Sequence, residues 1–102
     1  MPAANRLILD ATLAERGDLR YTPAGIPALD FTLHHQSVQN EAEGKRNVVC
    51  ELPGVALGEI ARELDRYRAG ADLRCEGFLA RRYRTGPAVT LHLTRILETK
   101  GH

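Results

Sequence analysis

The sequence predicts an all-β domain, a small closed barrel carrying a single helix, and three observations lead there. Short segments of alternating apolar and polar residues recur along the 102 residues, as half-buried strands require. Glycine and proline fall where such strands would have to turn or bend, at Gly17, Pro23, Gly25, Pro27, Pro53, Gly54 and Gly77. Only one segment, from Leu57 to Gly70, repeats its apolar residues with helical spacing. The length suits one domain over residues 1–102 with a modest core.

Each element follows in order. Residues 1–4 are a loose start, and Arg6–Leu13 is strand one, with Leu7, Leu9, Ala11 and Leu13 inward. Gly17, within Glu15–Asp18, marks a bulge or bend, after which Leu19–Tyr21 resumes the strand. In Thr22-Pro23-Ala24-Gly25, Pro23 fixes φ and Gly25 permits φ > 0, so these residues suit a tight turn with Gly at its third or fourth place. Strand two follows from Pro27, with Leu29, Phe31, Leu33 and His35 on one face and Asp30, Thr32 and His34 on the other. Gln36–Arg46 has no apolar periodicity and reads as a long exposed hairpin loop around residues 40–45.

Strand three is Asn47–Leu52, stopped by Pro53-Gly54, with Val48, Cys50 and Leu52 sharing a face. In the helix, Leu57, Ile60, Ala61 and Leu64 line one side. Glu59–Arg62, Glu63–Arg66 and Asp65–Arg68 are i,i+3 pairs worth a few tenths of a kcal/mol each, and Gly70 is placed to cap the C-terminus. Strand four is Asp72–Tyr83, with Leu73, Cys75, Gly77 and Leu79 on one face. Arg84–Pro87 turns the chain into strand five, Ala88–Leu97, and Glu98–His102 is a short polar end.

Composition excludes several classes. Fourteen Lys and Arg against 13 Asp and Glu leave a net charge of +1, so total charge selects no partner. No apolar run approaches the ~20 residues of a membrane helix, and the N-terminus lacks the basic-then-apolar layout of a signal peptide, which together predict a cytoplasmic protein with no membrane partner. Cys50 and Cys75 read as two buried free thiols. No C-x-x-C or H-x-x-x-H spacing exists, so neither a metal nor another cofactor is expected. His34 and His35 fall on opposite faces, with no nucleophile or carboxylate at a catalytic spacing, so the sequence predicts no enzyme.

The resulting order, β-β-β-α-β-β, is that of the OB-fold, a five-stranded Greek-key barrel with its helix between strands three and four. Particular residues add a resemblance. Asn5-Arg6-Leu7-Ile8-Leu9, Pro23-Ala24-Gly25-Ile26-Pro27 with Phe31 after it, His35-x-Ser37-Val38-Gln39, Glu76-Gly77-Phe78-Leu79 and Val89-x-Leu91-His92 together resemble the primosomal replication protein N family over roughly residues 5–97. Leu57–Gly70 and Glu76-Gly77 also look like the corresponding parts of bacterial single-stranded-DNA-binding proteins. The resemblance implies a homodimer that binds single-stranded DNA, contacts the restart helicase and other primosome proteins, and helps restart stalled replication. A different class, a protein–protein scaffold with weak nucleic-acid contact, is the alternative.

Single-strand binding needs cations along the backbone and aromatic faces under the bases. Arg81-Arg82-Tyr83-Arg84 concentrates both, and the resemblance places DNA-contacting residues in this loop. Lys45 and Arg46, beside the second loop, and Arg20 before the first turn match further basic positions; Gln36, Val49 and Phe78 are weaker candidates. At Val49 some relatives carry a tryptophan able to stack on a base. With no Trp, three Tyr and two Phe, the stacking inventory is thin, and weak, salt-sensitive binding is expected. Strand one is the expected part of the dimer interface.

Overall fold

A computed structural model describes residues 3–100, with side chains described through residue 97. Its elements are β1 (Leu7–Arg16), β2 (Arg20–Tyr21), β3 (Pro27–Glu41), β4 (Gly44–Leu57), α1 (Glu59–Leu64), β5 (Asp72–Arg81) and β6 (Val89–Lys100). The sheet runs β1-β5-β6-β4-β3, and pairing of Thr12–Arg16 with Phe31–His34 brings β3 back to β1 and closes the ring. All pairings are antiparallel except β4 with β6, where Gly54–Ala56 lie beside Leu91–Leu93. The two residues of β2 add to the edge of β3. Five long strands in this order form the expected OB-fold.

Alternation puts the apolar face of each strand inside. Leu13, Leu29, Leu33, Leu64, Leu73 and Leu91 are at most 1% exposed, and burying each contributes about 2–3 kcal/mol relative to exposure. Phe31, Cys75 and Leu93 complete the centre, with half-buried Leu7, Leu9, Leu79 and Tyr67 around it. Burial and the nearby Asp10 charge push the Cys75 thiol up to about 11, which keeps it protonated and inert at neutral pH. Asn5 extends the β1–β5 pairing with its side chain: its Nδ2 donates to Leu79 O at 2.8 Å, and its Oδ1 accepts from Leu79 N at 2.9 Å.

Several expectations are corrected. Pro53-Gly54 does not stop a strand. Pro53 stands opposite Thr32 in unbroken register, and Gly54 lets β4 pass over the Phe31 ring just where it begins its parallel pairing with β6. The helix is one and a half turns rather than the whole of Leu57–Gly70. Arg66 N and Tyr67 N donate to Glu63 O and Leu64 O at the tighter three-residue spacing. Arg16, from β1, then takes the carbonyls of Asp65 and Tyr67 with Nη1 at 2.9 and 2.7 Å and pairs with the Asp65 carboxylate through Nη2. Asp65 is thereby drawn from its expected helical partner, while Glu59–Arg62 forms as expected at 3.2 Å. Gly70, at φ +99, serves the turn into β5 and not the helix C-cap. Ala61 and Leu64 still plug the barrel.

Gln36–Arg46 is also more regular than a loop. β3 and β4 pair continuously out to Glu41 and Gly44, forming a ribbon that outruns the barrel. Cys50 lies on that ribbon opposite His35 and is exposed, which overturns the expectation of two buried thiols. At the far end, Glu98–Lys100 continue β6 against Asp72–Arg74 in place of the expected polar end; the rest of that end, and the first two residues of the loose start, lie outside the described residues. Among the described residues no helix is long and apolar enough to cross a membrane.

The ribbon turn carries a stability prediction. Ala42 and Glu43 sit at φ 50° and 65°, both left-handed, in the two-residue turn that favours Asn-Gly. Ala42→Asn with Glu43→Gly is expected to stabilise the protein by ~1 kcal/mol in urea unfolding. An unchanged midpoint would show that ribbon formation does not contribute to the cooperative unit.

Candidate nucleic-acid interface

Strand alternation decides which side chains face out beside the barrel. On β3 and β4 the outward cross-strand pairs are Asp30 with Val55, Thr32 with Pro53, His34 with Glu51, Gln36 with Val49, Val38 with Asn47, and Asn40 with Lys45. This outer face is continuous from the barrel to the ribbon tip. Over its barrel end lies a groove of about 660 Å³. Thr32, Pro53, Val55, Thr90 and His92 form the floor; Glu15, Arg16 and Asp30 form one side, and Arg81, Arg82 and Tyr83 the other. Thr90 is tied to the floor by its Oγ1, which donates to Pro53 O at 3.1 Å.

The segment after β5 is held in place by its own arginines. Arg81 Nη1 donates to the carbonyl of Arg84, and Arg82 N donates to Ala88 O at 2.8 Å. The Arg82 guanidinium lies 5.5 Å from the centre of the Tyr83 ring, itself 61% exposed. Arg84 is exposed and its guanidinium has no hydrogen-bond partner among the described residues. Arg81 therefore braces the segment, while Arg82, Tyr83 and Arg84 present two cations and one aromatic face to solvent.

The remaining sequence-predicted residues are placed differently. Arg20 pairs with Asp30 Oδ2 through Nη2 at 3.1 Å, so it reaches the groove's acidic side but already has a carboxylate. Lys45 lies on the outer face but at the ribbon tip, about 25 Å from Pro53 along β4. Arg46, its neighbour in sequence, points to the opposite face and pairs with Glu41. Gln36 and exposed Val49 stand opposite each other on the outer face, between groove and tip. The geometry thus gathers Arg81, Arg82 and Tyr83 at the groove, leaves Arg84 next to them on the same segment, sets Arg20 beside Asp30, and separates Lys45 from Arg46.

Sequence reasoning missed the acidic side, Glu15 and Asp30, and also His92. The only signal for Asp30 was its place in the outward alternation of strand two. His92 continues the outer surface onto β5, where it stacks on Phe78 with ring centres 4.9 Å apart and planes 7° from parallel. Further along the same face, Glu76 accepts from Arg6 Nε at 2.7 Å, and Arg95 Nη1 lies 3.8 Å from its other oxygen. The Arg6 hydrogen bond, with the Arg6 and Arg95 charges, outweighs burial and holds the Glu76 carboxyl below the usual carboxylate range, so it is ionised at neutral pH. Among the described residues no group of His, Cys, Asp and Glu is arranged to hold a metal ion.

Comparison with known proteins adds to this geometry. Residues 5–95 match a family described as another single-strand binding protein family. Replication restart protein PriB of Neisseria gonorrhoeae is 40% identical over 101 residues, covering 99% of this chain and 100% of that protein. PriB of Nitrosomonas europaea is 34% identical over 95 residues, covering 91% of this chain and 88% of its own length. The solved structure of PriB from Ralstonia solanacearum superposes with a TM-score of 0.87 at 38% identity, over 97% of this chain and all of that one. A single-stranded DNA binding protein from Thermus aquaticus superposes at 0.72 with 28% identity, over 93% of this chain and 50% of that one. PriB and primosomal replication protein N are two names for one family, so the resemblance read from the sequence holds.

Proposed function

Because the chain belongs to the single-strand-binding family of replication restart protein PriB, we propose that it binds single-stranded DNA across the β3–β4 groove and serves the restart primosome. In this reading the protein steadies the restart helicase on DNA and aids assembly of the other primosome proteins, acting by binding and not by catalysis. One observation carries the reading: Arg82, Tyr83 and Arg84 are presented by a braced segment beside an open groove on the face where OB-folds take single strands. Lys45 extends the contact along the outer face of the ribbon, Arg46 lies on the opposite face with Glu41, and Arg20 joins once DNA competes with Asp30. The same reading includes a homodimer joined through β1. Leu7–Ala11 pair with β5 on one edge and meet β3 only from Thr12 onward, which leaves an edge for the β1 of a second copy. Light scattering at twice the chain mass is the expected result, and a monomer at all concentrations would remove that part of the proposal.

A labelled oligo(dT) titrated by fluorescence anisotropy at several salt concentrations tests the DNA contact. Expected is binding at low salt whose log K falls linearly with log[salt], by ~0.7 per phosphate engaged. Absence of binding at low salt would shift the protein's role to helicase contact alone. Asp30→Asn supplies the opposite test. It removes a negative charge from the groove and releases Arg20, so affinity is expected to rise about 3- to 10-fold with a steeper salt slope. The Arg20–Asp30 pair is more than half exposed on both sides, so its loss is expected to leave stability within ~1 kcal/mol.

A further inference from the structure

We propose that the outer face of β5 and β6, beyond the groove, is a second nucleotide-binding subsite: Phe78 and His92 form its stacking platform and Arg95 grips the adjoining phosphate. The inference rests on single-strand binding in the groove and extends the path the strand takes out of it.

Strand order supplies the geometry. β6 lies between β4 and β5, so its His92 borders the groove while Phe78, directly across from His92, lies one strand further out. The two rings are parallel and 4.9 Å apart, an offset stack with an outward side at each end of the pair. One end belongs to the groove through His92. At the other, Phe78 is 40% exposed, a large aromatic side chain that reaches solvent while its ring is stacked on His92. A flat apolar face fixed by a neighbouring ring suits base stacking, which tolerates any base because every base has a π-face.

Charge completes the subsite. Across the strands from Glu76, Arg95 follows His92 on the same outer face after the bulge at Thr94. Two guanidiniums meet one carboxylate here. Arg6 satisfies Glu76 closely at 2.7 Å, whereas Arg95 stands off at 3.8 Å and is 67% exposed. The cluster therefore has a surplus positive charge on its looser, more exposed member, about one nucleotide step from the Phe78 ring along the strand. Arg6 holds Glu76, whose Oε1 is buried without a hydrogen-bond partner. Arg95 can turn to a phosphate without abandoning a short ion pair.

The chain contains no tryptophan, so Phe78→Trp places a single fluorescent reporter on the platform while keeping an aromatic face. Titrating this variant with oligo(dT) is expected to quench its emission in step with the anisotropy of a labelled strand. Phe78→Ala, with folding checked by circular dichroism, is expected to weaken binding about 5- to 100-fold, and Arg95→Glu to flatten the salt slope by ~0.7 or more. If Arg84→Glu weakens binding while Phe78→Ala and Arg95→Glu bind as wild type and the Phe78→Trp emission is unmoved, the subsite is overturned and the groove reading stands. If the wild type binds no oligo(dT) even at low salt, both fall together.

Discussion

Gly77→Ala is expected to leave the protein largely unfolded, with a loss of about 4 kcal/mol or more. A Cβ at this position falls 2.1 Å from the carbonyl oxygen of His92 and 2.9 Å from Leu91 Cδ1. The first of these is backbone in the neighbouring strand, paired in register with β5, and it cannot move without opening the β5–β6 ladder. Gly54→Ala meets a different obstacle, since its Cβ lands 2.1–2.7 Å from the Phe31 ring. A side chain can be trimmed where a strand cannot. Gly54→Ala alone is expected to cost about 1–3 kcal/mol, and adding Phe31→Leu to recover part of it, whereas no side-chain change rescues Gly77→Ala. Urea unfolding followed by far-ultraviolet circular dichroism reads all three, and a Gly77→Ala midpoint near that of the wild type would disprove the close approach of β5 and β6. The consequence reaches the site, because Gly77 sets how near Phe78 and His92 come to each other.

The barrel was legible because its inward positions repeat every second residue. Leu29, Phe31 and Leu33, or Leu73, Cys75 and Gly77, declare a buried face without help from elsewhere in the chain. The ribbon was not, because Gln36–Arg46 is polar on both sides, and a strand with no buried face leaves no period to read. Pro53 misled for a local reason: it is ordinarily a strand breaker, but here Gly54 beside it opens the space that β4 needs to cross Phe31. The helix end was set by Arg16, 49 residues before Asp65, and no local pattern encodes that contact. At the site, Arg81–Arg84 stood out as one contiguous run. Asp30 on β3 and Thr90 and His92 on β6 come from two distant places in sequence and meet only after the barrel closes. Adjacent Lys45 and Arg46 were read together, yet the pleat sends them to opposite faces.

The double charge reversal Arg82→Glu with Arg84→Glu is expected to lower oligo(dT) affinity about 10- to 100-fold at low salt and to flatten the slope of log K against log[salt] by ~1.4, the loss of two phosphate contacts. Both residues are exposed on the segment between β5 and β6, so the fold is expected to survive. The structural loss is confined to the Arg82–Tyr83 contact, worth ~0.5–1 kcal/mol at an exposed position. Arg81→Glu is the informative contrast. It removes the brace to the Arg84 carbonyl, so it is expected to loosen the segment as well as subtract charge, and to raise proteolytic sensitivity there, as the double variant does not. Affinity separates the two readings of this surface. A double variant that loses DNA but still associates with the restart helicase makes the segment a phosphate track. A double variant that binds oligo(dT) as the wild type does, yet no longer associates with the helicase, makes the same arginines a protein contact; the groove beneath them would then need another source of positive charge to hold a single strand.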